Sequence, residues 1–167
     1  MKNISLSQEV KTIVRGMVSN AAKFKLEVLT TFLLFDSMMS QKQFSSLIAK
    51  YSSCNLEGII NLIENIYKNN PFGFNEKEVE TIEERDYFIS VLKDSDIDNP
   101  QNFIFSQWIA NVFFFAYILV ESDEEQELTL SHLTLALFNN LNDQMLSFFT
   151  DIGTVKSVDG VSFDVPQ

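Results

Sequence analysis

Val28-Leu29-Thr30-Thr31-Phe32-Leu33-Leu34-Phe35 and Leu128-Thr129-Leu130-Ser131-His132-Leu133-Thr134-Leu135 decide how this chain is read. Both are apolar runs with hydroxyl residues near their start, and they align at an offset of 100. Upstream, Leu6-Ser7-Gln8-Glu9-Val10 aligns with Phe105-Ser106-Gln107-Trp108-Ile109 at an offset of 99. Downstream, Leu47-Ile48-Ala49-Lys50-Tyr51 aligns with Phe148-Phe149-Thr150-Asp151-Ile152 at 101. Order and spacing persist with one-residue slips at the joints, so the pattern predicts a duplicated helical unit. Each copy supplies one long amphipathic helix, one short buried helix and a third that packs on it. A single copy buries little apolar surface, so the two are expected to share one core.

The intervening residues follow the same logic. Leu6, Val10, Ile13, Val14, Met17, Val18, Ala21 and Ala22 form a helical stripe, with Ser5 or Ser7 available as its cap. Thr30 to Met38 is apolar nearly all round, as a buried helix would be. Phe44, Leu47, Ile48 and Tyr51 mark a third helix. Asn55 can cap a fourth, with Leu56, Ile59, Ile60, Ile63 and Ile66 facing inward. Asn69-Asn70-Pro71-Phe72-Gly73 breaks it, and Asp98-Asn99-Pro100 punctuates again. Between these breaks, Ile82, Tyr87, Phe88, Val91 and Leu92 suggest a short helix or a strand. Residues 99–120 carry no charge. Within them Phe103 to Val120 would by length span a bilayer, but Gln107, Asn111 and the acids at both ends argue instead for a helix buried between other helices. Asp151-Ile152-Gly153 predicts a glycine-capped end, and 154–167 reads as a linker or a single edge strand.

Composition bounds the function. The chain has 167 residues, 46% of them hydrophobic, which suits one ordinary domain and excludes wholesale disorder. One cysteine, Cys54, excludes an internal disulfide framework and a cysteine-built zinc site. The net charge of −11 lies in two runs. Residues 76–98 hold nine acids and three bases, and residues 121–127 hold five acids and no base. Such a chain is repelled by phosphate backbones and anionic lipid, so neither nucleic acid nor membrane is an expected partner. Both runs read first as solvated surface, and secondly as a field that steers a basic partner. Asp123, Glu124 and Glu125 lack the glycine-centred loop of a calcium site, and no metal is expected.

Chemistry has few candidates. His132 is the one histidine, read as a first-turn helix residue that packs and hydrogen-bonds. Cys54 would need it as a base to act as a nucleophile, and a small hydrolase is kept only as a foil. The glycines form neither a phosphate-binding loop nor a dinucleotide fingerprint, so no cofactor and no ATP site are expected within this chain. Phe72 and Phe74 around Gly73, with Tyr87 and Phe88 in the acidic segment, either pin that segment to the bundle or line a groove for a partner's helix or peptide.

Together these residues resemble the N-terminal domain of Clp-type AAA+ unfoldases, over about residues 4–153. That family carries two copies of a long helix, then Ile-x-x-Glu-His-Leu-Leu-Leu-Ala-Leu, then a helix ending near Gly-Ile/Val-Asp. Leu128 to Leu137 matches the middle element closely, and Thr31-Phe32-Leu33-Leu34 stands for Glu-His-Leu-Leu in the first copy. The resemblance implies an all-α, pseudo-twofold duplicated four-helix domain over 1–153. Its parts are repeat one at 4–68, an acidic insert at 69–98 and repeat two at 99–153. Copies in the family lie closer together, and the insert supplies the difference. Thr31 and Ser131 replace the motif glutamate, which helps some relatives bind phosphorylated arginine, and His132 keeps the motif histidine.

The implied function is a non-catalytic, cytoplasmic protein-recognition module. It binds substrate or adaptor proteins for a ring ATPase in the full-length protein, as in the sheath-recycling unfoldases of type VI secretion. The alternative is a stand-alone accessory protein that regulates a Clp protease assembly. Thr31, Ser131, His132, Phe72, Phe74 and Tyr87 are the expected protein-binding residues.

Overall fold

A computed structural model describes residues 4–69 and 76–152. Phe72, Phe74, the Gly153 cap and the tail 154–167 lie outside the described residues. The chain runs β1 (Ser5–Leu6), α1 (Gln8–Lys23), β2 (Val28–Leu29), α2 (Thr31–Met38), α3 (Lys42–Tyr51) and α4 (Leu56–Asn69). It continues with α5 (Ile82–Asp94), a 3-10 turn (Pro100–Asn102), β3 (Ile104–Phe105), α6 (Gln107–Ser122), β4 (Glu127–Leu128), α7 (Leu130–Phe138) and α8 (Asp143–Asp151). The described residues are therefore mostly helical, as expected. The four two-residue strands were not foreseen in the sequence.

Those strands join the two ends of the domain. β1 pairs in parallel with β4, Ser5 opposite Glu127 and Leu6 opposite Leu128. β2 pairs in parallel with β3, Val28 opposite Ile104 and Leu29 opposite Phe105. Each pair ends on the same bond, Ser7 N–H to Leu128 O at 3.0 Å and Ser106 N–H to Leu29 O at 2.9 Å. Those two serines then cap the helices that follow. The Ser7 side chain accepts from Val10 N–H, and that of Ser106 from Ile109 N–H. A two-residue strand holds nothing by itself. Here it fixes where each long helix starts relative to the opposite half.

The long helices also end alike. Lys25 and Glu124 are both left-handed, at φ 55 and φ 57, directly after the residues that cap α1 and α6. The next N–H returns to the helix in each case, Leu26 to Ala21 O at 2.8 Å and Glu125 to Val120 O at 3.0 Å. That is the left-handed exit in which glycine is usual, made here by a lysine and a glutamate.

One core runs through the molecule. Phe32 and Phe35 of α2 meet Phe148 of α8 edge-on, at 5.3 and 5.2 Å between ring centroids. Phe35 also meets Phe149 at 5.2 Å. Edge-to-face contacts of this kind add about 0.5–1.5 kcal/mol each beyond the area they bury. Beyond α3, the Ser53 N–H and the Ser52 hydroxyl both reach Ile152 O, just past α8.

Two expectations need correction. The run Phe103 to Val120 does not form one helix. After the expected break, where Asn99 is left-handed and Pro100 opens a 3-10 turn, β3 intervenes before α6 begins at Gln107. Nor is α6 enclosed by other helices. One side is buried through Ile109, Val112, Phe113, Ala116 and Val120, but Trp108 is 37% and Ile118 44% exposed. The acidic segment contains a helix, α5, which packs along α6 with Phe88 against Phe105 and Phe113.

Candidate acidic cavity at the start of α7

The loop from α6 into β4 carries the second acidic run, and Thr129 then caps α7. Thr129 and His132 form a reciprocal cap: the threonine side chain accepts the His132 N–H, and His132 Nδ1 accepts the Thr129 N–H at 3.0 Å. A nitrogen that accepts from a backbone N–H carries no proton. The neutral ring's proton is therefore on Nε2, which lies 3.4 Å from a Glu125 carboxylate oxygen. His132 is 7% exposed, so helix cap and loop clamp meet in one buried ring.

Glu9 from α1, with Asp123, Glu125 and Glu127, surrounds this ring and lines a cavity of about 530 Å³. Ser131 is half-buried in its wall. Among the described residues no lysine or arginine lines it. Four acidic side chains therefore face a ligand there.

Ligand atoms of Asp123, Glu125 and His132 lie within 4.8 Å of one another, which raises the question of a cation. The donor set fits poorly. To ligate through Nε2, the ring must carry its proton on Nδ1, where it would face the Thr129 N–H. A histidine ligand normally donates from its other nitrogen, and this one accepts.

The start of α2 is arranged differently. There Glu76, from the chain that follows α4, places its carboxylate over the helix end. It accepts the Thr31 N–H at 3.2 Å and the Thr31 hydroxyl at 2.7 Å. Its other oxygen accepts the Ser106 hydroxyl at 2.6 Å, and the Asn142 side chain donates as well. Thr31 opens α2, Ser106 caps α6 and Asn142 caps α8, so three helix starts converge on one carboxylate. No cation is among its partners. Burial pushes the Glu76 carboxyl above the ordinary glutamate range, and these hydrogen bonds pull it back only in part.

The six expected binding residues thus separate. Ser131 and His132 line the acidic cavity. Thr31 is buried and engaged by Glu76. Tyr87 is 5% exposed, tilted against Tyr117 at 4.9 Å and edge-on to Phe114 at 6.2 Å, so it pins α5 to α6 and offers no face to a partner. Phe72 and Phe74 lie outside the described residues.

The alignment of Thr31 with Ser131 also shifts. Counted from the caps Thr30 and Thr129, the offset is 99, which places Thr31 with Leu130 and Leu33 with His132. The slip to 101 comes afterwards, between α7 and α8. Glu76 and Glu9 went unrecognised in the sequence. Glu76 sits among other acids, and only the convergence of three helix starts sets it apart.

Comparison of the chain with protein-family models, with curated proteins and with solved structures gives no match.

Proposed function

We propose that this chain is a duplicated, non-catalytic protein-recognition module that takes a basic side chain of its partner into the acidic cavity at the start of α7. The duplication is supported by features that recur 99 residues apart. These are the capping serines Ser7 and Ser106, the left-handed exits Lys25 and Glu124, and the reciprocal strand pairs. Such an arrangement is what resemblance to the N-terminal domain of Clp-type unfoldases implies, and delivery of partners to a ring ATPase is the role that goes with it.

The observation that carries the binding role is the cavity itself: four carboxylates around 530 Å³, with no lysine or arginine among the described residues of the lining. A field of this sign concentrates cationic groups and repels phosphate. A lysine or arginine side chain can bring its charge in while its stem lies on Leu130 and Leu135 in the wall. Against catalysis, both ring nitrogens of His132 already meet Thr129 and Glu125, while the Cys54 N–H is held by Ser52.

The test is titration of a short arginine-containing peptide into the wild-type chain and into Asp123→Asn/Glu125→Gln. Saturable binding that the double variant weakens, and that added salt weakens in both, is the expected result. Equal affinity in the two proteins, or a preference for an oligonucleotide over the peptide, would overturn the proposal.

A further inference from the structure

We infer that the outer face of α6 is a docking surface for a basic-ended amphipathic helix of the partner protein. This rests on the recognition role just proposed and names the partner's chemistry. The face is a line of positions three or four residues apart: Trp108, Asn111, Phe115 and Ile118. Trp108 and Ile118 are exposed and Phe115 is half-buried. From Trp108 to Ile118 the line extends about 15 Å on a helix about 24 Å long.

The domain supplies its own comparison. Counted from the caps Ser7 and Ser106, the exposed positions of α1 hold Glu9 for Trp108, Thr12 for Asn111 and Ser19 for Ile118, while Gly16, which matches Phe115, faces Ser37 of α2. One long helix of this fold thus turns a polar side outward, and packing of the fold does not require an apolar one. Phe115 packs partly on the core, so it is Trp108 and Ile118 that answer to something outside the domain.

Charge selects the occupant. At the far end of α6 stand Glu121, Asp123, Glu124 and Glu125, with no base. At its near end runs the strand of chain that carries Glu78 and Glu80, the latter paired with Lys77 at 3.0 Å, followed by Glu83 and Glu84; Gln107 holds it there, its side chain accepting from the N–H groups of Glu80 and Thr81. An apolar line with acids at both ends fits a segment that is apolar in the middle and basic at its ends. A second copy laid antiparallel on the same face would bring acids against acids at both ends. An anionic membrane meets the same repulsion.

Trp108 is the chain's single tryptophan, so the site reports on itself. The probe is a synthetic amphipathic helix of leucine and lysine, about 18 residues or ~27 Å long. Its controls are the same peptide with glutamate for lysine, and one of identical composition with the leucine spacing scrambled. The basic helix should shift Trp108 emission to the blue and saturate, and neither control should match it. Ile118→Lys, at an exposed position, should raise the dissociation constant by about tenfold or more with unchanged circular dichroism.

Binding of the basic helix that Ile118→Lys leaves intact and Asp123→Asn/Glu125→Gln abolishes would overturn the α6 site and leave the cavity reading standing. Failure of every peptide would overturn both. Equal binding of the scrambled peptide, an equal blue shift with phosphatidylserine vesicles, or a wild-type dimer that Ile118→Lys converts to monomer would each overturn the proposed occupant.

Discussion

The Glu76 carboxylate accepts both the N–H and the hydroxyl of Thr31, the hydroxyl at 2.7 Å, and so fixes the acidic connection onto the start of α2. Thr31 is thereby a structural joint. The corresponding start of α7 closes on itself through Thr129 and His132, and the acids beside it line a cavity.

Glu76 should make the domain more stable in mild acid than at neutral pH. Its carboxyl is raised in the folded state, so between 4.5, the ordinary glutamate value, and the raised value the folded chain holds the extra proton. The stabilisation is complete below the ordinary value and is lost as pH rises through the raised one. Urea unfolding from pH 4.5 to 8 should show this fall in wild type and a flatter profile in Glu76→Gln. Glu76→Ala strands several donors and should cost about 2–4 kcal/mol at pH 7. A Gln variant with the wild-type pH profile would count against this account.

Gly16 is required by contact rather than by backbone angle. A Cβ at Gly16 would stand 2.6 Å from Ser37 Oγ, which is held in place by its own bond to Ile13 O. Alanine in a helix interior normally gains up to about 1 kcal/mol over glycine. Here Gly16→Ala should instead destabilise by about 1–2 kcal/mol, because α1 and α2 are forced apart. Adding Ser37→Ala should recover most of that loss. Strict additivity of the two changes in chemical denaturation would refute the contact.

Tyr67 and Asn20 support Asp36 between α1, α2 and α4. The Tyr67 hydroxyl donates to Asp36 Oδ2 at 2.7 Å and Asn20 Nδ2 donates at 3.1 Å. Burial raises the Asp36 carboxyl, and these donors oppose the rise. Tyr67→Phe removes the stronger support for the ionised form and should cost about 1–3 kcal/mol at neutral pH. In the protonated state the donor matters less, so the gap to wild type should narrow in acid. A gap independent of pH would assign the loss to packing, where Tyr67 stacks on Phe24 at 4.2 Å.

His132→Ala should cost about 1 kcal/mol through loss of the α7 cap. His132→Gln restores a side-chain acceptor at the same position and should recover part of it. Zinc should leave the melting temperature of the wild-type domain unchanged, since the ring nitrogen facing the acids carries the proton. A zinc-dependent rise abolished by Asp123→Asn would show that the ring can exchange its tautomer.

Local order made most helices legible before any coordinates. Ser7 caps α1, and Asn55 Oδ1 accepts the Gly58 N–H, because short polar side chains meet exposed N–H groups within a few residues of themselves. Apolar spacing located α1 to α4 for the same local reason. The start of α6 was misplaced because an uncharged run carries no marker of where strand gives way to helix. The one-residue error between α2 and α7 arose because both runs are apolar nearly all round, and such runs align almost as well one step out.

The sequence by itself determined most of the helices, the caps of α1 and α4 and two acidic runs, since each rests on residues close together in the chain. Tertiary structure alone decided that Glu76 is buried across three helix starts while Glu125, paired with His132, lines an open cavity. It alone decided that α6 keeps Trp108 and Ile118 outside while α1 keeps Glu9 and Ser19 there. Acid among acids and apolar among apolar read the same along the chain. They differ only in which distant helix comes to rest against them.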